Sequence, residues 1–148
     1  MEDAMAAKWL FKSDPDHYSF FDLERDGKTV WDGIANNMAL KNLRAIRRGD
    51  QVMVYHSGDE RAAVGLAEAV SDPYPDPKQK DPRLVVVDLQ AKGRLARPVS
   101  LDEVKKTASL KSFDLVRLPR LSIMAVSDTQ WDTLRAMAGK RLPSPQSR

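Results

Sequence analysis

Few side chains of this chain could do chemistry. Its 148 residues include no cysteine and only two histidines, His17 and His56. Without thiols there are no disulfides, thiolate zinc sites, iron–sulfur clusters or cysteine nucleophiles. Two imidazoles are too few for a histidine-rich metal centre. His56 and Ser57 adjoin, but neighbouring side chains of a strand point to opposite faces, so within one strand they cannot form a nucleophile–base dyad. The glycines form no dinucleotide fingerprint, Walker A loop or Gly-x-Ser-x-Gly elbow. What remains is a set of short polar and aromatic groups at element ends: Ser13, Trp31, Asn36, His56 and Ser57. They suit the stacking and edge bonding of a nucleobase, and each has a plain structural alternative. Trp31, beside Asp32-Gly33, is either a stacking platform or a core tryptophan. Ser13 either bonds a base edge or caps the Asp14-Pro15 turn, and Asn36 either joins a pocket or caps a helix. His56 is either a satisfied core histidine or a pocket group; its place at a strand end beside a turn favours the pocket.

The cations divide in the same way. Lys12 is a solvated strand end or a phosphate contact. Lys41, Arg44 and Arg48 recur at i, i+3 and i+7 of one expected helix, as a solvated face or as a phosphate-contacting stripe. Arg117 and Arg120 flank Pro119 at an irregular turn, where Arg117 is a phosphate candidate and Arg120 a backbone or base contact. Phosphate contacts position a nucleic acid without reading it. Lys and Arg number 24 against 21 Asp and Glu, but Lys140, Arg141 and Arg148 supply the whole excess. Residues 1–139 are formally neutral, which argues against a bulk polycation, and any nucleic-acid binding must come from local clustering and a specific pocket.

The elements that must position these groups are short. Lys8 to Lys12 reads as a buried strand ended by Asp14-Pro15, and Ser19 with Asp22 as a capping box opening a short helix. Thr29 to Trp31 is a brief strand. Asn36 to Arg48 is a helix with Ala39, Leu43 and Ile46 on its buried face and Gly49 as its terminator. Gln51 to Ser57 and Arg61 to Val70 form a hairpin around Gly58-Asp59. Four of the nine prolines fall in 71–83, which predicts a long irregular loop. Arg83 to Ala91 is a second buried strand, extending toward Arg97. Ser100 and Glu103 form another capping box, and Phe113 to Leu118 is a helical turn stopped by Pro119. Leu121 to Val126 is a last strand. Ser127 to Gln130 cap a final helix with Trp131, Leu134 and Ala138 on one face. This order predicts one α+β domain over 1–139, with a small, mostly antiparallel sheet or barrel and a disordered basic tail over 140–148.

Several stretches stand together in order: Lys12-Ser13-Asp14-Pro15, Tyr18-Ser19, Trp31-Asp32-Gly33, Gly49-Asp50, Tyr55-His56-Ser57, Val64-Gly65, Tyr74-Pro75-Asp76 and Arg120-Leu121-Ser122. In this spacing, from about Lys8 to Met137, the chain resembles the EVE domain family. The resemblance implies a PUA-like fold, a small bent β-barrel with flanking helices. It also implies kinship with YTH domains, which read methylated adenine in RNA; EVE domains are themselves regarded as readers of modified bases. It places a pocket between the Lys12-Ser13 strand end, the Trp31-Asp32 segment and the Tyr55-His56-Ser57 strand end, with Arg117 to Ser122, including Leu121, as a further wall. Trp31 falls where YTH domains carry a cage tryptophan, which favours the platform. Ala35 stands where the family commonly has an arginine.

The expected function is thus a non-enzymatic, monomeric reader of one modified base in DNA or RNA, with no cofactor, metal or membrane contact. Alanine at Trp31 is expected to weaken binding and leave the fold intact. The alternatives are an enzyme acting on a nucleotide-like molecule with His56 or His17 as general base, and a protein adaptor using the 71–83 loop. The acidic start, Met1-Glu2-Asp3-Ala4-Met5, does not read as a secretory signal, and no run approaches the ~18 apolar residues of a membrane span. A cytoplasmic location is expected.

Overall fold

A computed structural model describes residues 6–139; the expected basic tail over 140–148 lies outside the described residues. Seven strands form one mixed sheet: β1 (Lys8–Ser13), β2 (Lys28–Trp31), β3 (Gln51–His56), β4 (Ala62–Ala69), β5 (Tyr74–Pro75), β6 (Val85–Ser100) and β7 (Ile123–Val126). They run in the order β2-β6-β4-β3-β1-β7, with β5 paired to β6 off that path. β1 and β3 pair in parallel, Trp9 opposite Val52 and Lys12 opposite Tyr55, while the remaining pairs are antiparallel. The sheet bends without closing, because β2 and β7 at its two ends do not pair.

The bend has a local cause. Val64 is an extra residue between the pairs Val54–Gly65 and Tyr55–Ala63, and Lys92 is another between Leu66–Gly93 and Ala67–Ala91. Such bulges sharpen strand twist, and they let the 16-residue β6 serve β2, β4 and β5 in turn. The 71–83 segment holds only the two-residue β5, whose Tyr74 hydroxyl donates to Asp88 at 2.6 Å.

Five helices flank the sheet: α1 (Phe20–Asp26), α2 (Asn37–Ala45), α3 (Leu101–Lys105), α4 (Asp114–Arg117) and α5 (Asp128–Gly139). Both expected capping boxes form, Ser19 with Asp22 and Ser100 with Glu103. α2 is shorter than its periodicity predicts. It stops at Ala45, because Ile46 turns extended and its buried side chain leaves the helical path. The Asp50 carboxylate then accepts the Arg47 N–H at 2.9 Å, with Gly49 at a φ of 96° completing the turn. The same buried carboxylate accepts the Trp9 indole N–H at 2.9 Å and the Ala7 N–H at 3.1 Å. A long-range side chain therefore sets this helix end, and Arg48 falls outside the face expected to hold Lys41 and Arg44.

The α3 box carries a pH signature. Hydrogen bonding from Arg97, then from the Ser100 N–H, pulls the Glu103 carboxyl down to about 2. Its contribution is full above the ordinary Glu value near ~4.3 and is lost as pH falls through the folded value. Both side chains are about a third exposed, so screening limits the contribution to about 1 kcal/mol or less. Urea titrations of wild type and Glu103→Gln should differ by that amount at pH 7 and converge as the pH drops from about 4 to 2.

Candidate functional site

A cavity of about 780 Å³ opens beside the end of β1 and the length of β2. Lys12 and Ser13 come from β1; Asp14, His17 and Tyr18 from the turn before α1; Thr29, Val30 and Trp31 from β2. Asp32, Gly33 and Ile34 follow, and Lys78 reaches in from the proline-rich loop. The volume lies within the usual range of small-molecule pockets.

Trp31 is both wall and core. It is 8% exposed, its ring lies 5.5 Å from that of Phe11, and the Tyr18 ring meets it edge-on at 84°. Alanine there would open the core, so the expectation of an intact fold is corrected. Tyr18 is held by its hydroxyl, which donates to Asp26 at 2.8 Å. The capping box of α1 begins at the next residue, so local helix chemistry aims this ring.

The polar rim has mixed charge. The Lys12 ammonium donates to the Pro119 carbonyl at 2.8 Å and lies 5.7 Å from the Tyr55 ring centre. Partial burial lowers its pKa. Asp14 accepts the Asp16 N–H at 2.9 Å and contacts His17 Nδ1 at 3.1 Å. The Asp16 N–H, then His17, holds the Asp14 carboxyl below its ordinary value. The Ser13 hydroxyl donates to the Tyr18 carbonyl, so toward a ligand it is an acceptor. With Asp14 and Asp32 it makes an acceptor-rich edge suited to N–H donors, while Val30 and Ile34 supply apolar contact.

Of the expected pocket residues, Lys12, Ser13, Trp31 and Asp32 meet here, and the rest do not line the cavity. Asn36 is the N-cap of α2, its Oδ1 accepting the Ala39 N–H at 3.0 Å. His56 is a core histidine, 1% exposed. Its Nε2 accepts the Phe20 N–H at 2.9 Å and its Nδ1 faces Glu60 at 2.8 Å, an arrangement that defines the neutral tautomer with the proton on Nδ1. Both nitrogens are occupied, so His56 is not a base for a ligand in this cavity. Tyr55 is buried behind Lys12, and Ser57 closes the strand crossing by donating its N–H to the Ser13 carbonyl at 2.9 Å.

The 117–122 wall supports the site from behind rather than lining it. The Ser122 carbonyl accepts the Lys12 N–H at 2.9 Å, Leu121 is buried and Arg120 is exposed. Arg117 pairs with Asp114 at 3.2 Å. Lys41, exposed on α2, lies off the cavity, as does Arg44, which donates to the Arg83 carbonyl; Arg48 borders a separate groove beside Asp26 and Lys28. Sequence reasoning missed Tyr18, Thr29, Val30, Ile34 and Lys78 as wall residues. Tyr18, an aromatic ring directly before a helix cap, carried a usable signal, while Lys78 in its loop carried none. No helix among the described residues is long and apolar enough to cross a membrane.

Comparison with known proteins gives this geometry a family. Thymocyte nuclear protein 1 of Rattus norvegicus is 29% identical over 87% of this chain and 72% of its own length. A crystal structure of an Agrobacterium tumefaciens protein superposes with a TM-score of 0.88 at 32% identity, covering 95% of this chain and 99% of that one. Human THYN1, solved in complex with DNA containing 5-methylcytosine, superposes at 0.84 with 27% identity, covering 95% of this chain and 100% of that one. The EVE domain family matches residues 7–137, and the α+β, PUA-like architecture agrees with it. The chain belongs to the EVE domain family.

Proposed function

We propose that this EVE domain binds nucleic acid and admits one extruded, modified base to the cavity beside Trp31. The observation that carries the reading is the cavity itself, which sets an aromatic wall, an apolar patch and an acceptor-rich edge around one space, with Lys12 and Lys78 at its border. The complex of human THYN1 with 5-methylcytosine DNA supports it. In this reading Trp31 and Tyr18 form adjoining walls on one side of the base, Asp32 and Ser13 accept its N–H groups, and Val30 and Ile34 meet an added methyl. Lys12 and Lys78 face the phosphates. Extrusion costs a few kcal/mol, which stacking and edge bonds must offset. The domain is read as a binder, acting as a monomer, rather than an enzyme. Only one imidazole reaches the cavity, that of the exposed His17, and it is engaged with Asp14.

The test is a titration at physiological salt with matched DNA and RNA oligonucleotides. They carry cytosine, 5-methylcytosine, 5-hydroxymethylcytosine, adenine or N6-methyladenine. One modified base should be preferred, and Asp32→Ala, at an exposed position, should weaken its binding about tenfold without lowering stability. Equal binding of every modified and unmodified pair would overturn the reading, and a change in ligand mass on incubation would replace it with an enzyme.

A further inference from the structure

The proline-rich segment holds a carboxylate that the main cavity does not use. Asp76 is 8% exposed. Its Oδ1 accepts the Lys78 N–H at 2.9 Å, while Oδ2 has no hydrogen-bond partner among the described residues. A carboxylate so largely enclosed with one oxygen unpaired is uncommon in native proteins and leaves room for a donor. The residue lines a second pocket of about 200 Å³, with Ile34, Ala35, Leu84 and Val85 among its walls and the exposed Gln79 as its other polar lining residue. Gly33 and Ile34 border both hollows, and Lys78, the donor to Oδ1, borders the main one.

We propose that the Asp76 pocket is a second subsite, taking the exocyclic amine of the nucleobase next to the one in the main cavity. This rests on the base-binding reading above. A carboxylate accepts only, so it selects N–H donors and repels a carbonyl oxygen presented in the same place. Acidic side chains accept from the cytosine amino group in this way. Aliphatic walls suit the faces of a planar ring, and the small Ala35 side chain leaves the volume free. The pocket is too small for a nucleoside with its phosphate, yet it shares a wall with the main cavity, and a strand entering one brings a covalently attached neighbour to the other. The subsite should therefore favour adenine or cytosine over thymine or uracil at one flanking position.

The test fixes the preferred modified base and varies its neighbours one at a time. Adenine is compared with purine, and cytosine with pyrimidin-2-one, so that only the amine is removed. On one flank its removal should weaken wild-type binding about tenfold. Asp76→Asn, which keeps an oxygen for the Lys78 N–H, should abolish that difference and leave the preference for modified over unmodified base intact. Ala35→Arg, which would fill the pocket with a guanidinium, should do the same by a separate route. An amine effect absent on both flanks, with modified-base preference intact, overturns the subsite alone. An amine effect that survives both variants also overturns it. Loss of all modified-base preference in the wild type overturns the subsite and the base-binding reading together.

Discussion

Trp31→Ala should cost about 3–5 kcal/mol of folding stability, the usual range for removing a buried large aromatic side chain. The indole is almost wholly enclosed, with Phe11 beneath it and the Tyr18 edge against it. A domain of this kind commonly has ~5–15 kcal/mol in total, so the variant would be partly unfolded under mild conditions. Its binding would fall for that reason as well as for loss of the stacking face. Urea denaturation followed by circular dichroism measures the first effect. A loss under about 1 kcal/mol would show that the indole does not hold the core together. Trp31→Phe retains a ring and separates the two causes: stability should recover most of the loss, while ligand affinity should recover less.

Gly65→Ala is the second large effect, and it arises from close approach. A Cβ built at Gly65 would lie 2.4 Å from the Phe20 ring tip and 2.5 Å from its two neighbouring carbons. No side chain tolerates that distance, so the ring must move. Phe20 has little freedom to do so, being fully buried with its N–H held by His56 Nε2. Overpacking of this kind costs about 1–3 kcal/mol and shifts backbone. Thermal melting should fall by several degrees, roughly 2–4 °C per kcal/mol at this size. The strain also reaches the site, because Phe20 opens the helix that Tyr18 precedes. Phe20→Leu in the same chain should relieve part of the loss, so that the two substitutions are not additive. Strict additivity would place the strain elsewhere.

Local chemistry made much of the fold legible. Ser19 with Asp22 and Ser100 with Glu103 are contiguous signals, and both boxes form where expected. The hairpin, the final helix and the strand at Lys8 follow from short hydrophobic patterns bounded by turns. Errors arose where a distant side chain decides a local event. The end of α2 depends on Asp50, whose bonds to Arg47, Trp9 and Ala7 no helical periodicity contains. His56 looked like a pocket group because it ends a strand beside a turn, and a place along the chain does not report depth. Of the two groups that satisfy it, Glu60 lies in the turn of the same hairpin, but Phe20 comes from a distant segment. Asn36 was evenly balanced between cap and pocket, and the cap is what forms. The cavity was legible in outline, through Lys12, Ser13, Trp31 and Asp32. Its Lys78 side was not, since the path of a proline-rich loop is set by what it packs on.

The placement of β1 bears on how the molecule comes into being. The strand carrying Lys12 and Ser13 finds its partners far along the chain, pairing with β3 from Gln51 onward and with β7 at residues 123–126. Lys12 itself leans on the carbonyls of Ser122 and Pro119. Contacts so distant in sequence close late, after shorter loops have paid their entropy. On the ribosome, β1 must wait for β7 to emerge. The cavity is therefore framed only once β7 has emerged, and a nascent chain stopped before β7 would carry Trp31 and Tyr18 without the frame that makes them a wall.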